Sequence, residues 1–166
     1  RQMCIRDRFE KVPTIKAIKD WCNEPMLHEK HIRVFQNLPN PVNVLTTHSS
    51  WLMSSLVMGA NGLLSGAGSV IAPLQVRLFN AVKNNNLEEA KDINDKIFPL
   101  VQLFYKPPFL DMHNRMKETL VILNAMKKAV VRPPLMKLPF EEIEELKNTV
   151  NDINLDNKLN FVKLVV

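Results

Sequence analysis

The chain has 166 residues, 46% hydrophobic and 23% charged, proportions that fit one folded domain of ordinary size and exclude a disordered polymer. Its formal charge is +5, yet the 22 Lys and Arg are spread among 17 Asp and Glu. That distribution fits a solvated surface and argues against nucleic acid as a partner, because groove binders gather basic residues on one face. Cys4 and Cys22 are too few, and wrongly spaced, for a disulfide framework or a CxxC site, so a reducing, cytoplasmic setting is expected.

In chain order, residues 1–8 (RQMCIRDR) begin without an initiator Met and resemble translated sequencing-adapter read-through. They are read as a non-native leader, with the natural protein beginning further upstream. Residues 14–19 (TIKAIK) alternate and predict a strand. Asn23, Glu24 and Pro25 then give helix-start signals, with Asn23 as the cap and Pro25 in the first turn. Met26, Leu27, Ile32 and Phe35 recur at helical spacing, and the helix should stop before the PNP at 39–41.

A second strand is predicted at 42–46 (VNVLT), followed by a helix through Trp51, Leu52, Leu56 and Val57 that Gly59 closes, with His48, Ser49 or Ser50 capping its start. Residues 62–65 (GLLS) make a third short strand, and SGAGS leads into a helix over about 69–84. The apolar stretch 49–74 could pass for a membrane span on hydropathy, but it holds four glycines, several serines and Pro73, which fit short elements and a turn. No membrane partner is expected. Strand and helix alternate three times, the repeat of a parallel sheet.

From 87 onward the pattern is helical only. One helix runs over about 87–105, with Leu87, Ala90, Ile93, Ile97, Leu100 and Phe104 on one stripe and a bend at Pro99. A second begins at Asp111 or Asn114 and runs through Met116, Leu120, Leu123 and Met126. After the connector VRPPLMKLP, a third covers about 140–153, with Glu141 and Glu142 in its first turns. The domain reading is therefore a leader at 1–8, a partial β/α barrel at 9–84, a C-terminal helical region at 85–154 and a tail at 155–166.

In a parallel β/α barrel the strands' C-terminal ends form the active face, so a polar residue ending a short strand is a functional candidate. Lys19 is one. Strand parity places Ile15, Ala17 and Lys19 on one side and Lys16 and Ile18 on the other, so only one of the two lysines can face the interior. With small Ala17 beneath it, Lys19 has room there; a buried amine loses solvation when charged, its pKa falls, and it becomes a nucleophile for carbonyls. A surface lysine is the plain alternative.

Residues 62–69 (GLLSGAGS) bring backbone N–H groups and a helix start together, an arrangement that favours a carboxylate but also serves as a simple turn. Thr46, Thr47, His48, Ser49 and Ser50 would line the same face as Lys19, or cap the next helix. His28 and His31 lie three apart and His113 stands alone. No third acidic or thiol ligand sits at matching spacing, so no metal site is expected.

Taken together, these segments resemble the dihydrodipicolinate synthase and N-acetylneuraminate lyase family. TIKAIKDW is similar to that family's sixth-strand motif, which aligns Lys19 with the Schiff-base lysine and Asp20 with the acid that follows it. GANGLLSGAGSVIAP resembles the eighth strand and its turn, placing Leu64 where a backbone carbonyl faces a pyruvoyl group, with Ser65 beside it. The region about 87–103, Lys117 and the Arg132-Pro133-Pro134 connector resemble the C-terminal helices. The resemblance covers roughly residues 12–150.

It implies an α/β fold, the C-terminal portion of a TIM (β/α)8 barrel from about strand six to strand eight plus three helices. It implies a class I lyase or aldolase, with no cofactor, in which a pyruvate-like keto acid condenses with Lys19 and an aldehyde is the second substrate. Thr46, Thr47, His48, Leu64 and Ser65 are the expected substrate contacts, and a homo-oligomer is expected of the full-length parent.

Two departures stand out. Thr46-Thr47-His48-Ser49 replaces the family's usual acidic stretch after strand seven, and Ser69 stands where Asn is common. The family's tyrosine relay and paired threonine clamp belong upstream of Lys19, while the one tyrosine here, Tyr105, falls in a predicted helix. The chain is therefore read as a fragment, inactive alone. The competing reading is a non-catalytic helical module for oligomerisation or partner docking.

Overall fold

A computed structural model describes residues 2–155, with side chains described from residue 5. The tail read at 155–166 lies outside the described residues except for Leu155, which is buried. The chain divides into two compact units: the described residues within Arg1–Gly66 and Leu78–Ala90 form one, and those within Ala67–Arg77 and Lys91–Val166 the other.

The first unit opens with α1 (Gln2–Lys11), a helix over most of the segment read as a leader. Phe9 of α1 is buried and meets Phe35 edge-on, with ring centroids 4.9 Å apart. Three strand–helix steps follow: β1 (Ala17–Asp20), α2 (Pro25–Phe35), β2 (Asn43–Thr46), a single 3-10 turn running into α3 (Leu52–Val57), β3 (Gly62–Leu63) and α4 (Gly68–Lys83). The sheet is parallel in the order β1-β2-β3. Strand parity and burial separate its two faces. Ala17, Lys19 and Asn43 are exposed on one, while Asp20, Val44 and Thr46 are buried on the other, the face against which α2 and α3 pack. Ile32 and Phe35 of α2, Leu52 and Leu56 of α3 and Val44 of β2 are buried as the core of these elements.

Local chemistry explains most boundaries, with some differences from expectation. Glu24, and not Asn23, caps α2: its carboxylate accepts from the N–H groups of Met26 and Leu27 at 2.9 and 2.7 Å. Asn23 instead takes a left-handed backbone (φ 55°) that turns the chain into the helix. No side-chain cap starts α3; Gly59 follows its end at φ 105°, a conformation that favours glycine. Within α4, Pro73 has no N–H to give and its ring crowds the preceding turn, and Ile71 leaves helical geometry (φ −119°, ψ 28°).

The second unit is helical. Its elements are the first half of α4, then α5 (Leu87–Tyr105) from Lys91 onward, a 3-10 turn, α6 (Met112–Ile122) and α7 (Phe140–Asp152). The expected stripe on α5 is buried at Ala90, Ile93, Ile97, Leu100 and Phe104, whereas Leu87 at its first position is exposed. α6 stops at Ile122 instead of reaching Met126, because Asn124 adopts a left-handed backbone (φ 54°) just past its end. Arg115 on α6 is fully buried. Its guanidinium donates to the carbonyls of Phe104, Lys106, Pro107 and Pro108, which leave the end of α5, and pairs with Glu142 of α7. Among the described residues no helix is long and apolar enough to cross a membrane.

Candidate active site

Lys19 stands next to the C-terminal end of β1, in register with Leu45 of β2. It shares the uncovered face of the sheet with Ala17, as parity requires. The burial attached to it from sequence is absent, however: Lys19 is exposed, as is Ala17 on the same face.

The next residue turns the other way. Asp20 is only 4% exposed and forms the centre of a polar cluster behind the sheet. Its Oδ2 accepts from His28 Nδ1 at 2.6 Å and from His31 Nδ1 at 2.9 Å, both on α2, and its Oδ1 accepts from the Cys22 N–H at 3.0 Å. An ionised carboxylate can only accept, so both Nδ1 atoms carry hydrogen. The far nitrogen of His28, Nε2, meets Ser55 Oγ of α3 at 2.7 Å. Ser55, His28 and Asp20 thus stand in the order of a hydrolytic relay. Ser55 and His28 are both at 0% exposure, so no substrate reaches that hydroxyl and the chain of bonds ties α2, α3 and β1 together.

His48 closes the cluster from the turn after β2. Its ring stacks on Trp51 at 4.1 Å and meets His28 edge-on at 5.1 Å, and its Nε2 lies 3.9 Å from Cys22 Sγ. Burial acts on Asp20, Cys22 and His48. It would raise the Asp20 carboxyl, but hydrogen bonds from His28 and His31 and attraction to both rings outweigh it and hold the group well below the usual carboxylate range. Burial pushes the Cys22 thiol up to about 11, with the Asp20 charge adding to the effect. Burial, then the neighbouring His28, bring His48 down to about 4, so its ring is neutral at pH 7.

The remaining sequence-derived candidates fall in three places. Thr46 is fully buried on the face opposite Lys19, where its Oγ1 accepts from the His48 N–H at 3.2 Å. The Thr47 N–H extends the ladder by donating to the Asp20 carbonyl at 3.3 Å. Beyond β3, Leu64 is 52% exposed and donates its N–H to the Thr46 carbonyl at 2.8 Å, while the hydroxyls of Ser49 and Ser65 hydrogen-bond each other. His48 enters the Asp20 cluster and does not face Lys19.

Asp20, Cys22 and Ser55 are partners for histidine that the sequence pattern does not announce. Four donor atoms, one each from Asp20, Cys22, His28 and His48, lie within 4.8 Å of one another and could hold a metal ion. The acid and thiol that histidine spacing did not supply come from β1 and the turn after it. One signal was available: His28 and His31 lie on the same apolar face as Ile32 and Phe35, and buried imidazoles require partners.

Three parallel strands, helices against one face and polar side chains gathered where the strands end define an α/β protein of strand–helix units. The sequence pattern of the dihydrodipicolinate synthetase family matches residues 5–153, and the chain belongs to that family. The match begins inside the segment read as a leader. The chain is 22% identical over 146 residues to 4-hydroxy-tetrahydrodipicolinate synthase of Oceanobacillus iheyensis, covering 87% of this chain and 47% of that one.

Among solved structures, dihydrodipicolinate synthase of Bacteroides thetaiotaomicron superposes with a TM-score of 0.79 at 19% identity, over 90% of this chain and 50% of that chain. YagE, a prophage protein of the dihydrodipicolinic acid synthase family from E. coli K12 solved in complex with pyruvate, gives a TM-score of 0.75 at 20% identity, over 85% of this chain and 47% of that chain. The chain therefore spans about half the length of the relatives it matches.

Proposed function

We propose that this chain carries the imine-forming lysine of a keto-acid-dependent lyase, and that Lys19 is that residue. The observation that supports it most is position: within the family-matched region, Lys19 is next to the last residue of a parallel strand and points to the face away from the helices. In this reading β1, β2 and β3 are the sixth to eighth strands of an eight-stranded barrel, and α5 to α7 are the helices that follow it.

The chemistry asked of Lys19 is carbonyl addition. The neutral amine attacks the keto carbon of a pyruvate-like acid, and the carbinolamine loses its oxygen as water to leave a protonated imine. That cation withdraws electrons from the adjacent carbon, so a proton can leave it and a bond to an aldehyde can form; the reverse sequence cleaves the bond. Around Lys19, the Leu64 carbonyl and the Ser49–Ser65 hydroxyl pair are the substrate contacts in this reading. Thr46, Thr47 and His48 act indirectly, by holding the ends of β1 and β2 together.

A proton relay and a carboxylate clamp are also needed. The chain's single tyrosine, Tyr105, lies in α5, so turnover is assigned to a protein that joins these elements to the other half of the family's length, and none to these 166 residues alone. The same reading takes the whole protein to be cytoplasmic and homo-oligomeric. The test is to incubate that longer protein with pyruvate, reduce it with borohydride and map the adduct by mass. A reduced pyruvoyl adduct on the peptide carrying Lys19, lost in Lys19→Ala, is expected. Its absence from folded protein removes the imine mechanism.

A further inference from the structure

Behind the sheet, four side chains of different chemistry converge: Asp20 from the end of β1, Cys22 from the turn after it, His28 from α2 and His48 from the turn after β2. We propose that Asp20, Cys22, His28 and His48 form a tetrahedral site for one divalent cation of the zinc class. The inference is independent of the role assigned to Lys19.

Geometry comes first. Metal–ligand bonds of about 2.0–2.3 Å in a tetrahedron set neighbouring donor atoms roughly 3.3–3.8 Å apart. Asp20 Oδ2 and Cys22 Sγ are 3.7 Å apart, and Cys22 Sγ and His48 Nε2 are 3.9 Å apart, so two edges stand close to that spacing already. The edge from Asp20 Oδ2 to His28 Nδ1, at 2.6 Å, is short because a hydrogen occupies it, and it must open by about one ångström to admit an ion. All four donor atoms lie within 4.8 Å of one another.

Donor chemistry selects the ion. One carboxylate, one thiolate and two imidazoles suit Zn2+ and its borderline neighbours. Mg2+ and Ca2+ require six or more oxygens, and this cluster offers a single carboxylate. Charge balances as well, since the carboxylate and the thiolate together neutralise a dication in a largely buried site. On binding, the Cys22 thiol releases its proton to solvent. Nδ1 of His28 exchanges its hydrogen for the metal, and its Nε2 becomes the donor to Ser55.

An outer shell is present too. Ser55 Oγ holds the far nitrogen of His28 at 2.7 Å, and His31 Nδ1 holds Asp20 Oδ2 at 2.9 Å. A metal-bound imidazole or carboxylate needs partners of this kind to fix its orientation. Four protein ligands leave no open coordination position, so the ion is structural. It lies on the side of β1 opposite Lys19 and fastens β1, α2 and the turn after β2 to one another.

The test uses the full chain, stripped with chelator and dialysed against Zn2+ or Co2+. One equivalent of Zn2+ per chain should be retained. Co2+ should give the intense visible bands of four-coordinate cobalt together with a thiolate charge-transfer band in the near ultraviolet. Cys22→Ser, with its fold checked by circular dichroism, should lose that charge-transfer band and stoichiometric Zn2+ retention, and Ser55→Ala should weaken binding by about 10–100-fold. Three results overturn the proposal: no metal retained by the folded wild-type chain, a charge-transfer band that survives Cys22→Ser, or one lost only in Cys4→Ser.

Discussion

Replacing Asp20 with Asn tests whether the cluster behind β1 holds the first unit together. The side chain is 4% exposed and accepts four hydrogen bonds, two from imidazole Nδ1 atoms, one from the Cys22 N–H and a weak one from the Cys22 thiol. An amide of the same shape keeps one acceptor oxygen. Set toward the histidines, that oxygen receives both rings, but each bond falls from charge-assisted to neutral, a loss of about 1 kcal/mol apiece. The amide NH2 then faces the Cys22 N–H, donor against donor, which costs about 1–3 kcal/mol more. Rotating the amide is worse, because two ring N–H groups then face the NH2. The expected destabilisation is about 3–5 kcal/mol. Urea unfolding of the chelator-treated chain, followed by tryptophan fluorescence, measures it well, because both tryptophans lie in this unit and Trp51 stacks on His48. An unchanged slope with a midpoint shift worth less than about 0.5 kcal/mol would refute the reasoning.

Phe35→Ala should cost about 3–5 kcal/mol, since its 1%-exposed ring meets Phe9 edge-on and stacks on His31, whereas Met26→Ala, at an 80%-exposed position, should stay within about 0.5 kcal/mol in the same assay. In the second unit, Arg115→Met should lower thermal stability sharply by stranding the carbonyls at the end of α5 and leaving Glu142 only its longer pair with Lys106, at 3.9 Å; about 3 kcal/mol or more is expected, and a melting temperature equal to wild type would discount the arginine's role. Arg115→Lys should recover only part of the loss, because an ammonium cannot reproduce the guanidinium fork. Sedimentation of the 166-residue chain should show concentration-dependent association through the outer edges of β1 and β3, and a monodisperse monomer that melts cooperatively would contradict this.

Much of the element order was legible because its signals are local. Alternation in TIKAIK, Gly59 after an apolar run, the Leu100–Phe104 stripe and the acids opening α7 each act within a turn or two of themselves. The misplaced details were local competitions: Glu24 took the cap from Asn23 because the longer carboxylate reaches two N–H groups at once. Lys19's face followed from parity, but its solvation did not, since burial depends on what lies across the sheet and not on the strand. The Asp20 cluster was illegible for a different reason. His28, His48 and Ser55 stand 8, 28 and 35 residues from Asp20 in sequence and meet only because parallel pairing brings the ends of β1 and β2 together. Arg115 carried no mark at all: an arginine on an amphipathic helix is ordinarily a surface residue, and only the carbonyls at the end of α5 call it inward.

Among the described residues, the strand that carries Lys19 is hydrogen-bonded along one side only, to β2. A further strand laid along its free side would satisfy the open backbone groups and, in a closed barrel, help to wall in the face on which the amine stands. Joining such a pairing partner and drying the lysine would then be one physical event. In the imine reading proposed above, removing water would favour the neutral amine over the ammonium, which has no lone pair to give, so reactivity toward carbonyls would rise with closure of the sheet.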